Sequence, residues 1–356
     1  MSNSPALPGR LGNPELDIRD DLRADPRMIA AMGPIGLDVA PPPSPVTAAT
    51  PIADLIEYTM LAEAGFEALG GILTATTPAP TGVSSYTETI TGVDGNEISL
   101  FIHRPDAEDG PLPCVVHTHG GGMALLSATG ESYVHWRDDL AATGMVVVGV
   151  EFRNAGGKLG AHPFPAGLND CASATRWVVD HRDELGVSTV IISGESGGGN
   201  LAIATSLKAK QDGWVADIAG VYAQCPYIFG GYADPPTELT SLVENDNYFL
   251  NVENMGALAK TYDPDGANAT NPLAWPMHAT AEDLAGLPPH VISVNQLDPL
   301  RDEGLVFYRT LLDAGVSAVG RTVNGTCHVG DCLFLDAMPD VWAATIRDIK
   351  GFADSL

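Results

Sequence analysis

Ser196 sits inside Gly194-Glu195-Ser196-Gly197-Gly198, a G-x-S-x-G pattern directly after the apolar run Val190-Ile191-Ile192. Glycine lowers stability inside a compact domain unless the backbone needs it. A sharp strand-to-helix turn does need it. Flanking Cβ atoms would collide across such a turn, and the strained serine is left with Oγ exposed at the carboxyl end of a sheet. The flanks agree, with a strand over 188–193 before the motif and a helix beginning near Asn200 after it. Ser196 is therefore a candidate acyl-transfer nucleophile, and the helix start aims N–H groups at any oxyanion formed beside it. A phosphate cradle is the competing use of this turn, but neither a P-loop lysine pattern nor a spaced dinucleotide-type glycine pattern accompanies it.

Acyl transfer through serine also needs oxyanion donors, a base and an orienting acid. His119-Gly120-Gly121-Gly122 follows the apolar run at 113–119, and a glycine run lets backbone amides turn inward. Asp298 stands just past the strand expected at 290–295, with Pro299 fixing the turn. His328 follows the strand expected at 317–323 and precedes the last helix, which completes the order Ser, Asp, His. Asp302 is the rival acid and reads more simply as an N-cap. His278 and His290 precede Asp298 and break the order, while His119 belongs to the glycine run. Cys327-His328-x-x-Asp331-Cys332 matches no common zinc spacing. A Cys327 nucleophile leaves both glycine motifs unexplained.

These loops need a scaffold. Residues 84–104 read as a hairpin around Asp94-Gly95. Beyond it, apolar runs at 113–119, 145–152, 188–193, 218–225, 290–295 and 317–323 alternate with helical stretches. That rhythm predicts an α/β fold with a mostly parallel central sheet and helices on both faces. Only 229–280 breaks it, and a connection of that length is usually functional. Ahead of the hairpin lie a short helix broken at Gly33-Pro34 and a Pro-rich connector over 40–51. Ile52, Leu55, Ile56, Met60, Phe66 and Leu69 then predict an amphipathic helix that stops at Gly70-Gly71 and packs on the larger domain after it. The division expected is an N-terminal helical segment, 1–83, and a catalytic domain, 84–356.

The 356 residues are 45% hydrophobic and 18% charged, a globular composition. A formal charge of −27 argues against nucleic acid or an anionic membrane surface as partner. Five cysteines without a CxxC pair read as free thiols in a reducing compartment. The first residues hold no apolar signal-peptide core, and the chain has no apolar run of about 18 residues. The expectation is a cytoplasmic protein; nothing in the chain specifies an oligomeric state.

With His119-Gly-Gly-Gly, Gly194-Glu-Ser-Gly-Gly, Asp298-Pro-Leu-Arg-Asp-Glu-Gly and His328 in view, the chain resembles the hormone-sensitive lipase family of α/β-hydrolases. The resemblance runs from about Pro26 to the C-terminus. It implies the α/β-hydrolase fold, a serine carboxylesterase with Ser196, Asp298 and His328 as triad, and Gly121, Gly122 and Gly197 as oxyanion amides. It further implies a cap built from the N-terminal helices and the inserted segment, a small-molecule ester as substrate, and no metal or organic cofactor. Lactones fall within reach of the same chemistry. An acyltransferase or amidase using the same triad, and a non-catalytic receptor on the same fold, are the alternatives. The receptor relatives lack the base, which His328 supplies here. Two departures reshape the pocket rather than the proton path: His328-Val329-Gly330 where the family has His-Gly, and "FRNAGGKLGAHPFP" where the family has Tyr-Arg-Leu-Ala-Pro-Glu before His-Pro-Phe-Pro.

Overall fold

Each of these apolar runs becomes a strand of one sheet in the computed structural model, which describes residues 7–107 and 110–356. The strands are β1 (Val83–Thr91), β2 (Glu97–Pro105), β3 (Leu112–Thr118), β4 (Val146–Val150), β5 (Val187–Glu195), β6 (Gly220–Gln224), β7 (His290–Asn295) and β8 (Ala318–Val323). Their order is β1-β2-β4-β3-β5-β6-β7-β8. The hairpin turns at Asp94-Gly95, with Gly95 at φ 78°, and β2 pairs antiparallel to β4. From β4 to β8 all pairings are parallel. The first six residues lie outside the described part, so the reading of the extreme N-terminus has no structural counterpart.

Among the described residues, seven helices of eleven or more residues accompany the sheet: α1 (Ile52–Thr74), α2 (Glu131–Ala141), α3 (Ala166–Asp180), α4 (Gly197–Gln211), α5 (Val252–Tyr262), α6 (Arg301–Asp313) and α7 (Pro339–Asp354). The two-residue period of the strands sorts their side chains. Val115, Val147 and Ile191 pack with Trp136 of α2 and with Trp342 and Ile349 of α7. Val116, Val148 and Val190 face the other way, toward Cys171 and Val178 of α3 and Leu201 of α4. Each such side chain contributes about 1.5–3 kcal/mol on burial, so both faces must stay covered.

This order places the site. The chain runs from β3 outward to β4 and returns to β5 on β3's other side, so loops leaving β3 and β5 diverge above a crevice at the strands' carboxyl ends. The glycine run leaves β3 and the serine turn leaves β5. Their separation is a backbone contact: a Cβ on Gly198 would lie 1.8 Å from the Thr118 carbonyl oxygen, and one on Gly194 would lie 2.6 Å from the Gly198 carbonyl carbon.

α1 departs from expectation. Its buried positions include Thr59, Glu63 and Thr74, whereas Met60, Phe66 and Ile72 are exposed and Leu61 is 71% exposed. Nor does it stop at Gly70-Gly71. It continues to Thr74, because those glycines mark its crossing of α2: Cβ atoms there would lie 2.9 Å from Ser132 Oγ and from Glu131 Oε2. Asp302 is not an N-cap either. It lies in the first turn of α6, where Oδ2 accepts from Ser241 N and Thr240 Oγ1.

The segment between β6 and β7 is anchored by Glu303 of α6, whose Oε1 accepts from Ile228 N, Phe229 N and Tyr232 Oη. Burial pushes this carboxyl up to about 8 against those hydrogen bonds. The native state thus holds the proton more tightly than the unfolded chain. This group's stabilisation is complete below its unfolded value of 4.5 and is lost as pH rises through about 8. Urea midpoints of wild type and Glu303→Gln, compared across that range, should show a downward slope in the wild type that the variant lacks; parallel curves reject the assignment. Gly198→Ala, with its 1.8 Å collision against fixed backbone, should cost about 3 kcal/mol or more, read as a large drop in thermal midpoint or a failure to fold.

Candidate active site

Ser196, Asp298 and His328 arrive on three loops, after β5, β7 and β8. His328 Nδ1 lies 2.7 Å from Asp298 Oδ2. The carboxylate is fully buried, with Oδ1 accepting from Leu300 N at 2.9 Å. Asn245 Nδ2 steadies the same turn by donating to the Asp298 carbonyl oxygen at 3.0 Å. An imidazole whose Nδ1–H donates a hydrogen bond to a carboxylate keeps Nε2 free to accept a proton. Ser196 and His328 line one cavity of about 130 Å³. No hydrogen bond joins Ser196 Oγ to the ring among the described residues; such catalytic contacts commonly tighten only with substrate.

Ser196 has φ 57° and ψ −119°, outside the regions that L side chains favour, and begins α4. Its N–H donates to the Gln224 carbonyl, and its own carbonyl accepts from Asn200 N and Tyr227 N. That geometry brings Gly197 against the glycine run. A Cβ on Gly197 would stand 2.7 Å from Gly122 N and 2.6 Å from Met123 N. Gly121 and Gly122 have φ 104° and 60°, which turns their peptides inward. At Gly121 the surroundings also forbid a side chain, since a Cβ there would meet the Leu125 carbonyl oxygen at 2.1 Å. The amides of Gly121, Gly122 and Gly197 have no hydrogen-bond acceptor among the described residues. Three unengaged donors beside a serine suit a tetrahedral oxyanion.

Glu195 holds this arrangement together, and motif reasoning misses it although it stands inside the motif. Oε1 accepts from Gly120 N at 2.8 Å, and Oε2 lies 3.0 Å from His117 Nε2. The signal that could have found it is a carboxylate at the last position of a buried strand, next to a nucleophile. His119 takes no proton-transfer role. Burial pushes its ring down to about 3, which leaves it neutral and stacked on Phe152 at 4.2 Å.

Leu125, Leu126, Tyr133, Leu258 and Leu300 make much of the remaining cavity wall apolar. Phe66 and Leu69 of α1 and Phe249, Leu250 and Met255 from the 229–280 segment also line it. Of the aromatic side chains in and just before that segment, Tyr227 and Phe249 reach the cavity. Phe229 packs edge-on to Tyr232, and Tyr248 is buried with its hydroxyl on Asp21. The Cys327–Cys332 stretch does not converge on an ion: Asp331 accepts from Asn295 Nδ2 and Thr345 Oγ1 instead. Cys225, Asp298 and His328 do bring sulfur, oxygen and nitrogen within 4.8 Å of one another. The short imidazole–carboxylate hydrogen bond already engages two of those three groups with each other.

Residues 115–330 match the family model described as the alpha/beta hydrolase fold. Among solved structures, a brefeldin A esterase, described as a bacterial homologue of human hormone-sensitive lipase, superposes with a TM-score of 0.94 at 46% identity, over 98% of both chains. The esterase Est22 gives a TM-score of 0.85 at 40% identity, over 95% of this chain and 99% of its own. Esterase LipI of Mycobacterium tuberculosis is 32% identical over 255 residues, which is 69% of this chain and 73% of LipI. With its sheet order, serine turn and glycine run, the chain belongs to the α/β-hydrolase family, on the branch of the hormone-sensitive lipase homologues.

Proposed function

We propose that Ser196, Asp298 and His328 form the catalytic triad of this chain, with Gly121, Gly122 and Gly197 as its oxyanion donors. The chain is a carboxylic ester hydrolase, in keeping with relatives named esterases and carboxylesterases. The observation that carries the residue roles is the His328–Asp298 hydrogen bond of 2.7 Å opening on the cavity that also holds Ser196. His328 takes the Ser196 proton as Oγ attacks the ester carbonyl, and the three amides receive the charge that develops on oxygen. The imidazolium, stabilised by Asp298, protonates the leaving alcohol; His328 then activates water to release the acid.

α1 and the 229–280 segment roof the site in this reading, since both supply apolar lining. A cavity of about 130 Å³ compares with apolar cavities of about 150 Å³ that accept benzene, so one substrate arm is an aryl or short alkyl group. The net charge of −27 supports a small-molecule substrate over nucleic acid, and five unpaired cysteines support a reducing, cytoplasmic setting.

Hydrolysis of p-nitrophenyl esters of graded acyl length tests the reading. Wild type should turn over and Ser196→Ala should lose at least about 10⁴-fold in kcat; equal turnover by the variant rejects Ser196 as nucleophile. Asp298→Asn should lose about 10⁴-fold by presenting the wrong imidazole tautomer, measured under saturating ester.

A further inference from the structure

α1 buries Leu55 and Leu73, yet apolar packing is not all that holds it on. Met60 and Ile72 are 50% and 55% exposed, while Glu63 is fully buried at its centre. A carboxyl group taken out of water is costly unless both oxygens are used. Here both are. Glu63 Oε1 accepts from Leu126 N at 2.8 Å, and Oε2 accepts from Lys158 N at 2.6 Å. The contact with the second loop is close enough that a Cβ on Gly157, at φ 63°, would lie 2.8 Å from Oε2.

The first of these contacts reaches the oxyanion donors. Gly121's carbonyl accepts from Ala124 N and Leu125 N, so the peptides from Gly121 to Leu125 form one closed turn. Leu126 follows at φ 77°, with its carbonyl held by Asn154 Nδ2. Upstream, Glu195 Oε1 holds Gly120 N. The donor turn is therefore pinned at both ends by buried carboxyl groups, Glu195 from the sheet and Glu63 from the N-terminal helix.

We infer that Glu63 is a positioning residue for ester hydrolysis: through Leu126 it fixes the turn that aims the Gly121 and Gly122 amides, so the N-terminal segment contributes to the chemical step and not only to substrate selection. This rests on the hydrolase reading, which Ser196→Ala tests separately. Donors must be preorganised where charge develops, and a displacement of about 1 Å costs on the order of 10²-fold.

The test compares Glu63→Gln with Thr59→Val. Glutamine keeps the shape but presents an NH₂ to one of the two N–H groups. Thr59 fastens the same helix to the same second loop, with Oγ1 accepting from Gly157 N at 3.0 Å, and does not bond Leu126. Glu63→Gln should lower kcat by about 10- to 100-fold with KM within about threefold. The inhibition constant of a trifluoromethyl ketone, which adds to Ser196 and forms the same oxyanion, should rise by a matching factor. Thr59→Val should stay within about twofold of wild type in kcat. Should Glu63→Gln not fold, Glu63→Asp, which reaches only one of the two N–H groups, should show the same split. An unchanged kcat, a change confined to KM, or an equal kcat loss in Thr59→Val overturns the inference, whereas a wild type inactive on every ester overturns the hydrolase reading instead.

Discussion

The backbone of Ser196 is the constraint on which the site depends. A non-glycine residue at φ 57° and ψ −119° costs about 1–3 kcal/mol and persists only where its surroundings over-determine it. Here β6 takes its N–H, α4 and the segment after β6 donate to its carbonyl, and Gly194 and Gly198 allow the turn to close on Thr118. The same conformation carries the Gly197 amide to within reach of the Gly122 amide. Exposure of the proposed nucleophile and geometry of the proposed oxyanion donors are therefore one feature, not two. A change that relaxes the serine also misplaces a donor.

Around that turn, buried acids serve as backbone organisers. Glu63, Glu195 and Glu303 each gather N–H groups from loops that carry no regular partner for them, and Asp298 does so for its own turn. At Glu303 burial outweighs the donors it collects, and the carboxyl is pushed up to about 8. Rigid strands end where the site begins. These contacts extend their order into the loops.

Much of this is legible in the residues. Val/Ile-rich runs mark the inner parallel strands β3, β4 and β5, because a strand buried on both faces needs apolar side chains at each position. Gly194 and Gly198 announce the turn because no other residue lets Thr118 and the helix start approach so closely. Chain order singles out Asp298 and His328 from rival acids and imidazoles. The departures share one cause. Apolar spacing places Leu55 inward but gives no sign that Thr59 and Glu63 of α1 turn inward beside it, to meet amides of loops about 65 and 95 residues away. Gly70-Gly71 likewise records a crossing rather than a stop.

The sequence by itself determined the strands, the serine turn and the glycine run, because each is set by steric and hydrophobic rules acting over a few residues. Only the tertiary structure decided which acids hold which amides, and which apolar residues of the N-terminal helix and the 229–280 segment reach the cavity. A buried hydrogen bond pairs groups by their meeting in space, and spacing along the chain does not record where a loop's N–H will point.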